Sequence, residues 1–420
     1  MRPRTREYRI ASLPTSPAPG ATGAVLLAWW ALAQVRSVRA STGAWARAAA
    51  GTMVGMETRF GTSRPYTVGV EEEFQLVDPS TRELVPAIEA VLDAVPEGYD
   101  RMAPELFQDC VEMRSPVFST VAELSRELGV LRREVSEPAR KAGVGIAASG
   151  LHPISDPFAQ EFTPGERYER MQEELGALAR LQIIYALHVH VAVPDGEAAI
   201  RATNALVRHT PLLTALSANS PFWRGMDTGF HCARVKIRDA SPRSGLPPTF
   251  RNWAEFEGYT DALVAMGNIP DYSWFWWDAR PHPRHGTVEL RVLDAQTEPA
   301  YTVSLATLTQ CLVAEATAGD SAPEDPRFVS ENKWRAIRRG LDARFYDFST
   351  GEEKSARDTT RDLVARLRPV SQDLRCETEL ESLLEIVERG TGAELQRAVY
   401  EKRGSLEDVA EYLIRATAPA

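Results

Sequence analysis

The chain has 420 residues, with 48 Lys plus Arg against 58 Asp plus Glu, and a formal charge of −10 with His neutral. Its 44% apolar and 25% charged residues suit a globular chain with a large core and exclude a disordered or fibrous one. The acidic balance argues against nucleic acid as a partner, because that interaction leaves a basic footprint. The charge is uneven: residues 1–64 hold nine Arg against Glu7 and Glu57, a net +7, which leaves −17 for the remainder.

Residues 1–60 read as a basic Pro/Ala/Arg-rich extension, either poorly ordered or upstream of a true start at Met53 or Met56. Within them the apolar run at 24–35 (AVLLAWWALAQV) is too short to span a membrane. Arg36 and Arg39 follow it at once with no small-residue cleavage site, which does not fit a secretory signal. Cys110, Cys232, Cys311 and Cys376 form no CxxC pair and no disulfide framework, so a reducing, cytoplasmic setting is expected.

Residues 65–415 are expected to form a single domain. A strand is predicted over 66–77, closed by the turn Asp78-Pro79-Ser80-Thr81. A helix at 84–95 and an extended stretch at 107–117 follow. The spacing of Val121, Leu124, Leu128, Leu131 and Val135 predicts a helix over 121–142. Next come a strand at 145–149, a loop with His152-Pro153, a helix at 168–181 and an alternating strand at 183–193. A helix at 197–216 is expected to meet a boundary at Pro211. Beyond a turn-rich stretch at 218–223 and a Pro/Gly loop at 241–248 lie a helix at 252–266 and an aromatic strand at 272–277, read as structural. A loop at 278–285 then leads into a strand at 286–294. Everything after Thr302 reads as helix. No GxGxxG or Walker glycine loop occurs, so the pattern favours an α+β protein with helices packed on one face of a mainly antiparallel sheet.

Residues two apart in a strand share a face. Glu71, Glu73 and Gln75 thus lie opposite Val70, Glu72 and Phe74; Glu112 and Arg114 lie opposite Val111 and Met113; His188 and His190 lie opposite Leu187, Val189 and Val191; Glu289 and Arg291 lie opposite Val288, Leu290 and Val292. One solvated face is the ordinary explanation for such alternation. These polar faces, however, use metal- and phosphate-capable side chains apart from Gln75. Glu71 and Glu73 side by side would repel without a cation between them, and Mg²⁺, or Mn²⁺, takes oxygen ligands and bridges carboxylates to phosphates. Arg114 and Arg291 suit a phosphate or a substrate carboxylate. A zinc hydrolase is disfavoured: the His188/His190 pair stands without HExxH, among carboxylates that suit harder ions. His190 is expected either to face the cofactor or to pair with a Glu across the sheet. The loop DARPHPRHGT, with Arg280, His282, Arg284 and His285, suits anionic ligands, with a proline-stiffened connector as the plainer alternative.

Five stretches together resemble the glutamate–cysteine ligase type 2 family, the YbdK-like carboxylate–amine ligases. They are TVGVEEEFQLVDP from Thr67, ELFQDCVEMRSPV from Glu105, LHVHVAVPD from Leu187, LTALSANSPFWRGMDTG from Leu213 and DARPHPRHGTVELRVLDAQT from Asp278. The resemblance implies a glutamine synthetase-like fold whose curved, mainly antiparallel sheet holds ATP and Mg²⁺. It implies metal-binding roles for Glu71, Glu73, Glu105, Glu112, His188 and Glu289, of which Glu105 is not found by alternation. It also implies an acyl-phosphate ligase joining glutamate to cysteine or another amine. In that scheme Arg291 meets the phosphate, Arg234 or Arg114 orients a substrate carboxylate, and Arg280, Arg284 and His190 face the cofactor. The expected partners are these small molecules, with neither nucleic acid nor membrane, and a homodimer is a further expectation. A guanidino-kinase-like phosphotransferase and a non-catalytic binding protein stay open as alternatives.

Overall fold

The sheet is organised around β1 (Val68–Val77), whose VGVEEEFQLV sequence alternates between a buried apolar side and a carboxylate side. The computed structural model describes residues 56–319, 324–348 and 350–418. The apolar run at 24–35, and all of the basic extension before residue 56, lie outside the described residues. Residues 56–62 pack on the body: the Met56 N–H donates to Glu257, Arg59 N–H to the Pro283 carbonyl and Gly61 N–H to the Val193 carbonyl.

Six further strands complete the main sheet: β2 (Met102–Pro104), β3 (Cys110–Arg114), β4 (Gly145–Ala147), β5 (Leu187–Ala192), β6 (Ala279–His282) and β7 (Thr287–Leu290). Their order is β6-β7-β5-β1-β3-β2, with β4 also paired to β1, and every pair is antiparallel. Three long helices supply much of the cover: α1 (Val121–Lys141), α2 (Gly196–Leu216) and α3 (Pro299–Ala318). The apolar sides of the central strands, including Val70, Phe74, Val111, Met113, Val189 and Leu290, are almost wholly buried and share one core with Leu124, Leu128 and Leu131 of α1 and Leu305 and Leu308 of α3. Burying a large aliphatic side chain stabilises by about 1.5–3 kcal/mol, so this layer holds the sheet firmly behind whatever its other face carries.

Glu72 points into that layer, where an unpaired charge would be prohibitive. Arg132 of α1 meets it with two donors, Nη2 to Oε1 at 2.6 Å and Nε to Oε2 at 3.0 Å, and Thr302 of α3 donates to the same carboxylate at 2.7 Å. The remaining Arg132 donors bond the carbonyls of Gln296, Thr297 and Thr417.

Several elements differ from the sequence expectation. The helix expected at 84–95 shrinks to Ile88–Asp93, and that at 168–181 splits into Glu166–Leu175 and a 3₁₀ segment Gly176–Leu181 at Gly176. Pro211 does not end α2, because the turn beyond it buries Leu212, Leu213 and Leu216, which offsets the missing hydrogen bond. The aromatic strand is mostly not a strand. Asp271 caps a 3₁₀ turn at Tyr272–Trp274, accepting from the Ser273 N–H at 2.7 Å, and only Trp276–Trp277 pairs, with Ser244–Gly245. Its rings form a separate apolar cluster with Phe250 and Phe256. The loop expected at 278–285 is half strand: residues 279–282 are β6, an edge strand that tolerates Pro281 because its N–H is not needed on the open side. The helical tail is interrupted by the hairpin strands Arg344–Asp347 and Glu352–Ser355. No described helix is long and apolar enough to cross a membrane.

Candidate active site

Directly opposed residues of antiparallel strands share a face, so the register sets the site. Glu73 lies opposite Glu112; Glu71 lies between Arg114 and His188; His190 lies opposite Glu289, and Glu289 opposite Arg280. Three adjacent rows on the side away from α1 and α3 therefore carry nearly all the ionisable residues of the sheet. Gln75, on the same side, donates instead to Ser149. Glu105, in the turn between β2 and β3, completes the row of Glu73 and Glu112.

The rows separate into three overlapping groups whose ligand atoms lie within 4.8 Å of one another: Glu73, Glu105 and Glu112; Glu71, Glu112 and His188; and Glu71, His190 and Glu289. In the first, burial and mutual repulsion push protons onto the acids. Glu73 is raised to about 7 by burial and Glu112, against the pull of Arg234, and Glu105 is held well above the usual carboxylate range by burial, Glu112 and Glu73. Glu112 is raised by burial and by Glu71, although Arg114 donates to it at 2.6 Å.

The other groups are compensated. Burial would raise Glu71, yet His190 and His188 hold it well below the usual range; His188 Nδ1 lies 3.0 Å and His190 Nε2 3.4 Å from its carboxylate. Burial would also raise Glu289, but Arg280 and Arg291 hold it well below the usual range. Arg280 donates to it at 2.5 Å and Arg291 pairs with it as well. Burial and Arg291 lower His188 to about 4, so it offers a neutral ring nitrogen. His190 is fixed through Nδ1 to Thr287 Oγ1 at 2.9 Å and leaves Nε2 buried without a hydrogen bond, 3.9 Å from Glu289. Clustered acids that cannot all ionise, with the neutral imidazole of His188 among them, fit divalent cations by donor chemistry and by charge.

A cavity of 110 Å³ is lined by Glu73 and Glu105 of the first group, by His188 and Arg291, and by Arg234, Arg238 and Ser241. Arg234 and Arg238 come from the short helix Ala233–Arg238 and are buried. Arg234 lies 3.6 Å from Asp294; Arg238 pairs with Asp278, which Lys333 also reaches at 2.9 Å.

Of the residues singled out from the sequence, Glu71, Glu73, Glu105, Glu112, His188, His190, Glu289 and Arg291 converge. Arg234 joins them through the cavity wall. Arg114 sits at the rim, its side chain half exposed. Arg280 is buried behind Glu289, its other donors spent on the carbonyls of Ser273 and Phe275, so it positions Glu289. Arg284 is exposed and lines a second cavity of 450 Å³ with Arg59, Asp271 and Tyr272. Sequence reasoning passes over Asp109, Tyr185, Arg238 and Ser241. Tyr185 and Asp109 share the apolar parity of Leu187 and Val111 in the predicted strands, so alternation assigns them to the other face, while Arg238 and Ser241 lie outside the predicted strands.

The model of glutamate–cysteine ligase family 2 matches residues 67–412. A Rubrobacter xylanophilus protein carrying a provisional glutamate–cysteine ligase 2-3 name is 53% identical over 367 residues, covering 86% of this chain and all of the relative. A Herpetosiphon aurantiacus protein with a provisional glutamate–cysteine ligase 2 name is 38% identical, covering 84% of this chain and 93% of its own. Among solved structures, a Francisella tularensis glutamate–cysteine ligase in complex with AMP superposes with a TM-score of 0.63 at 12% identity, over 87% of this chain and 91% of its own. A bifunctional glutathione synthetase from Pasteurella multocida gives 0.63 at 13% identity, over 84% and 52%. These likenesses show the fold to be that of the glutamine synthetase-like ligases, α+β with a mainly antiparallel sheet. The chain belongs to glutamate–cysteine ligase family 2 and is a carboxylate–amine ligase, an enzyme that forms carbon–nitrogen bonds.

Proposed function

We propose that the enzyme is ATP-dependent and joins the γ-carboxylate of glutamate to the amine of cysteine or a related acceptor. The observation that carries this reading is the set of mutually repelling acids Glu73, Glu105 and Glu112, two of which line a cavity whose wall also holds Arg291 and Arg234. The AMP held by the Francisella tularensis ligase supports a nucleotide here. Glu73, Glu105, Glu112, Glu71, His188, His190 and Glu289 would hold Mg²⁺ or Mn²⁺. Bound divalent cations supply neutralisation of the charge that builds on the transferring phosphoryl group.

Arg291, steered by Glu289, meets the phosphoryl oxygens, and Arg280 keeps Glu289 from turning away. A γ-carboxylate oxygen attacks the terminal phosphorus and ADP leaves, giving an acyl phosphate. The acceptor nitrogen then attacks the acyl carbon, phosphate departs with its bonding oxygen, and the nitrogen loses a proton. Arg234 holds a substrate carboxylate, and the buried walls keep water from the acyl phosphate.

The test is incubation of the purified chain with ATP, Mg²⁺, glutamate and a panel of amines, followed by analysis of nucleotides and amides. ADP, phosphate and a γ-glutamyl amide in equal amounts are expected. ADP with a phosphorylated substrate and no amide would point to the guanidino-kinase-like phosphotransferase. No turnover with any pair would point to a binding protein.

A further inference from the structure

The cavity holds buried polar atoms that phosphoryl transfer does not use. Asp109 is 1% exposed; its Oδ1 accepts the Tyr185 hydroxyl at 2.6 Å, while Oδ2 is buried without a partner. Burial raises this carboxyl to about 7, opposed only by the Tyr185 hydrogen bond. The buried acid that fastens the layers is saturated by contrast: both oxygens of Glu72 accept from Arg132. An unpartnered carboxylate oxygen on a residue that lines a cavity leaves a charge for a cation to meet when a ligand brings one.

The same cavity has the opposite chemistry elsewhere on its wall. Arg234 Nε, Arg238 Nε and Ser241 Oγ are buried without partners. The arginines are already fixed through their Nη atoms, to the Val292 and Arg291 carbonyls and to Asp278, so the remaining donors are preorganised for an anion. Leu175, Ile183 and Trp276 supply apolar wall alongside these groups.

We propose that Asp109, oriented by Tyr185, is a specificity-determining residue that binds the ammonium of a free α-amino acid whose carboxylate meets Arg234, Arg238 and Ser241. The inference rests on the ligase reading and deepens it: the site selects a zwitterion and rejects the same molecule without its amino group. The shared chemistry belongs to both donor and acceptor amino acids, and the measurement tells them apart.

The test is calorimetric binding to the full chain without ATP, using L-glutamate against glutarate and L-cysteine against 3-mercaptopropionate. Wild type is expected to prefer one amino acid over its des-amino counterpart by about 10–100-fold, the worth of a buried hydrogen bond to a charged group. Asp109→Asn keeps the shape and a Tyr185 acceptor, and should reduce that preference to about threefold or less without weakening the des-amino ligand. The pair that responds identifies the occupant as donor or acceptor. Equal binding of amino acid and des-amino analogue by wild type overturns the proposal whether or not the variant folds, as does an Asp109→Asn protein that keeps the preference. Amino-acid selectivity without amide formation would sink the ligase reading alone; amide formation with unaltered selectivity in Asp109→Asn would sink this proposal alone.

Discussion

Glu72 and its neighbour Glu73 are consecutive residues of one strand, made of the same side chain, and they live in opposite electrostatic conditions. Glu72 accepts three hydrogen bonds and meets one guanidinium in full. Glu73 faces Glu112 and Glu105 and is pushed up to about 7. Burial is not what separates them, since Glu72 is 2% and Glu73 9% exposed. The difference is whether the protein itself supplies the counter-charge. Where it does, the acid fastens layers together; where it withholds it, the acid is kept available for something that binds.

The comparison can be broken most forcefully on the satisfied side. Glu72→Ala leaves Arg132 buried and uncompensated, and should cost about 3–5 kcal/mol of stability, read from denaturant midpoints. Any folded remainder should keep near-normal substrate affinity. On the frustrated side the sign reverses. Glu73→Gln should lower turnover at least 100-fold, about 2.7 kcal/mol of transition-state stabilisation, while its unfolding midpoint in a chelator is no lower than wild type. A destabilised Glu73→Gln protein would dissolve the distinction.

Divalent cation sharpens the same contrast. Mg²⁺ or Mn²⁺ at a hundredfold excess over its Kd should stabilise wild type by about 2.7 kcal/mol and Glu73→Gln by much less, seen as the shift in thermal unfolding on adding EDTA. The smallest expected effect is on pH dependence. Asp109 and Glu73 titrate near 7 in the folded chain and near 4 when unfolded, so the native state binds more protons and metal-free stability falls as pH rises towards and through 7. Buried His152 and His188, lowered to about 3 and 4, act in the opposite sense only where unfolded histidine is protonated, mainly below about 6.5. Glu105 and Glu112, also raised, act in the same sense; between pH 6.5 and 7.5 a loss of at least about 1 kcal/mol is expected, and the Glu73→Gln, Asp109→Asn double variant should reduce it by about 1 kcal/mol.

Much of this was legible in the sequence where a two-residue period speaks for itself. Alternation puts Glu71, Glu73, Glu112, His188, Glu289 and Arg291 on one face, and the strand register brings them into adjacent rows. The same rule assigns Glu72 to the apolar side but cannot say that Arg132, 60 residues away, is waiting there. Asp109 and Tyr185 precede β3 and β5 on the parity of Val111 and Leu187, so alternation assigns them to the apolar side, and Arg238 and Ser241 come from a short helix and a turn that carry no such period. The basic stretch at 278–285 misleads for a related reason: Arg280 looks like a ligand for phosphate, yet as an edge-strand residue opposite Glu289 it is consumed in holding that acid. Composition records which charges exist, and only the register records which are already spent.

The guanidinium of Arg132 ties β1 to distant parts of the sequence. It bonds the carbonyls of Gln296, Thr297 and Thr417, which lie 164, 165 and 285 residues beyond it. Contacts of that span form only after long loops have closed, at an entropic cost that local pairs do not meet. The strand that carries the acids of the site is thus backed by a contact that waits for segments far along the chain, and the layer behind it closes as a unit rather than strand by strand.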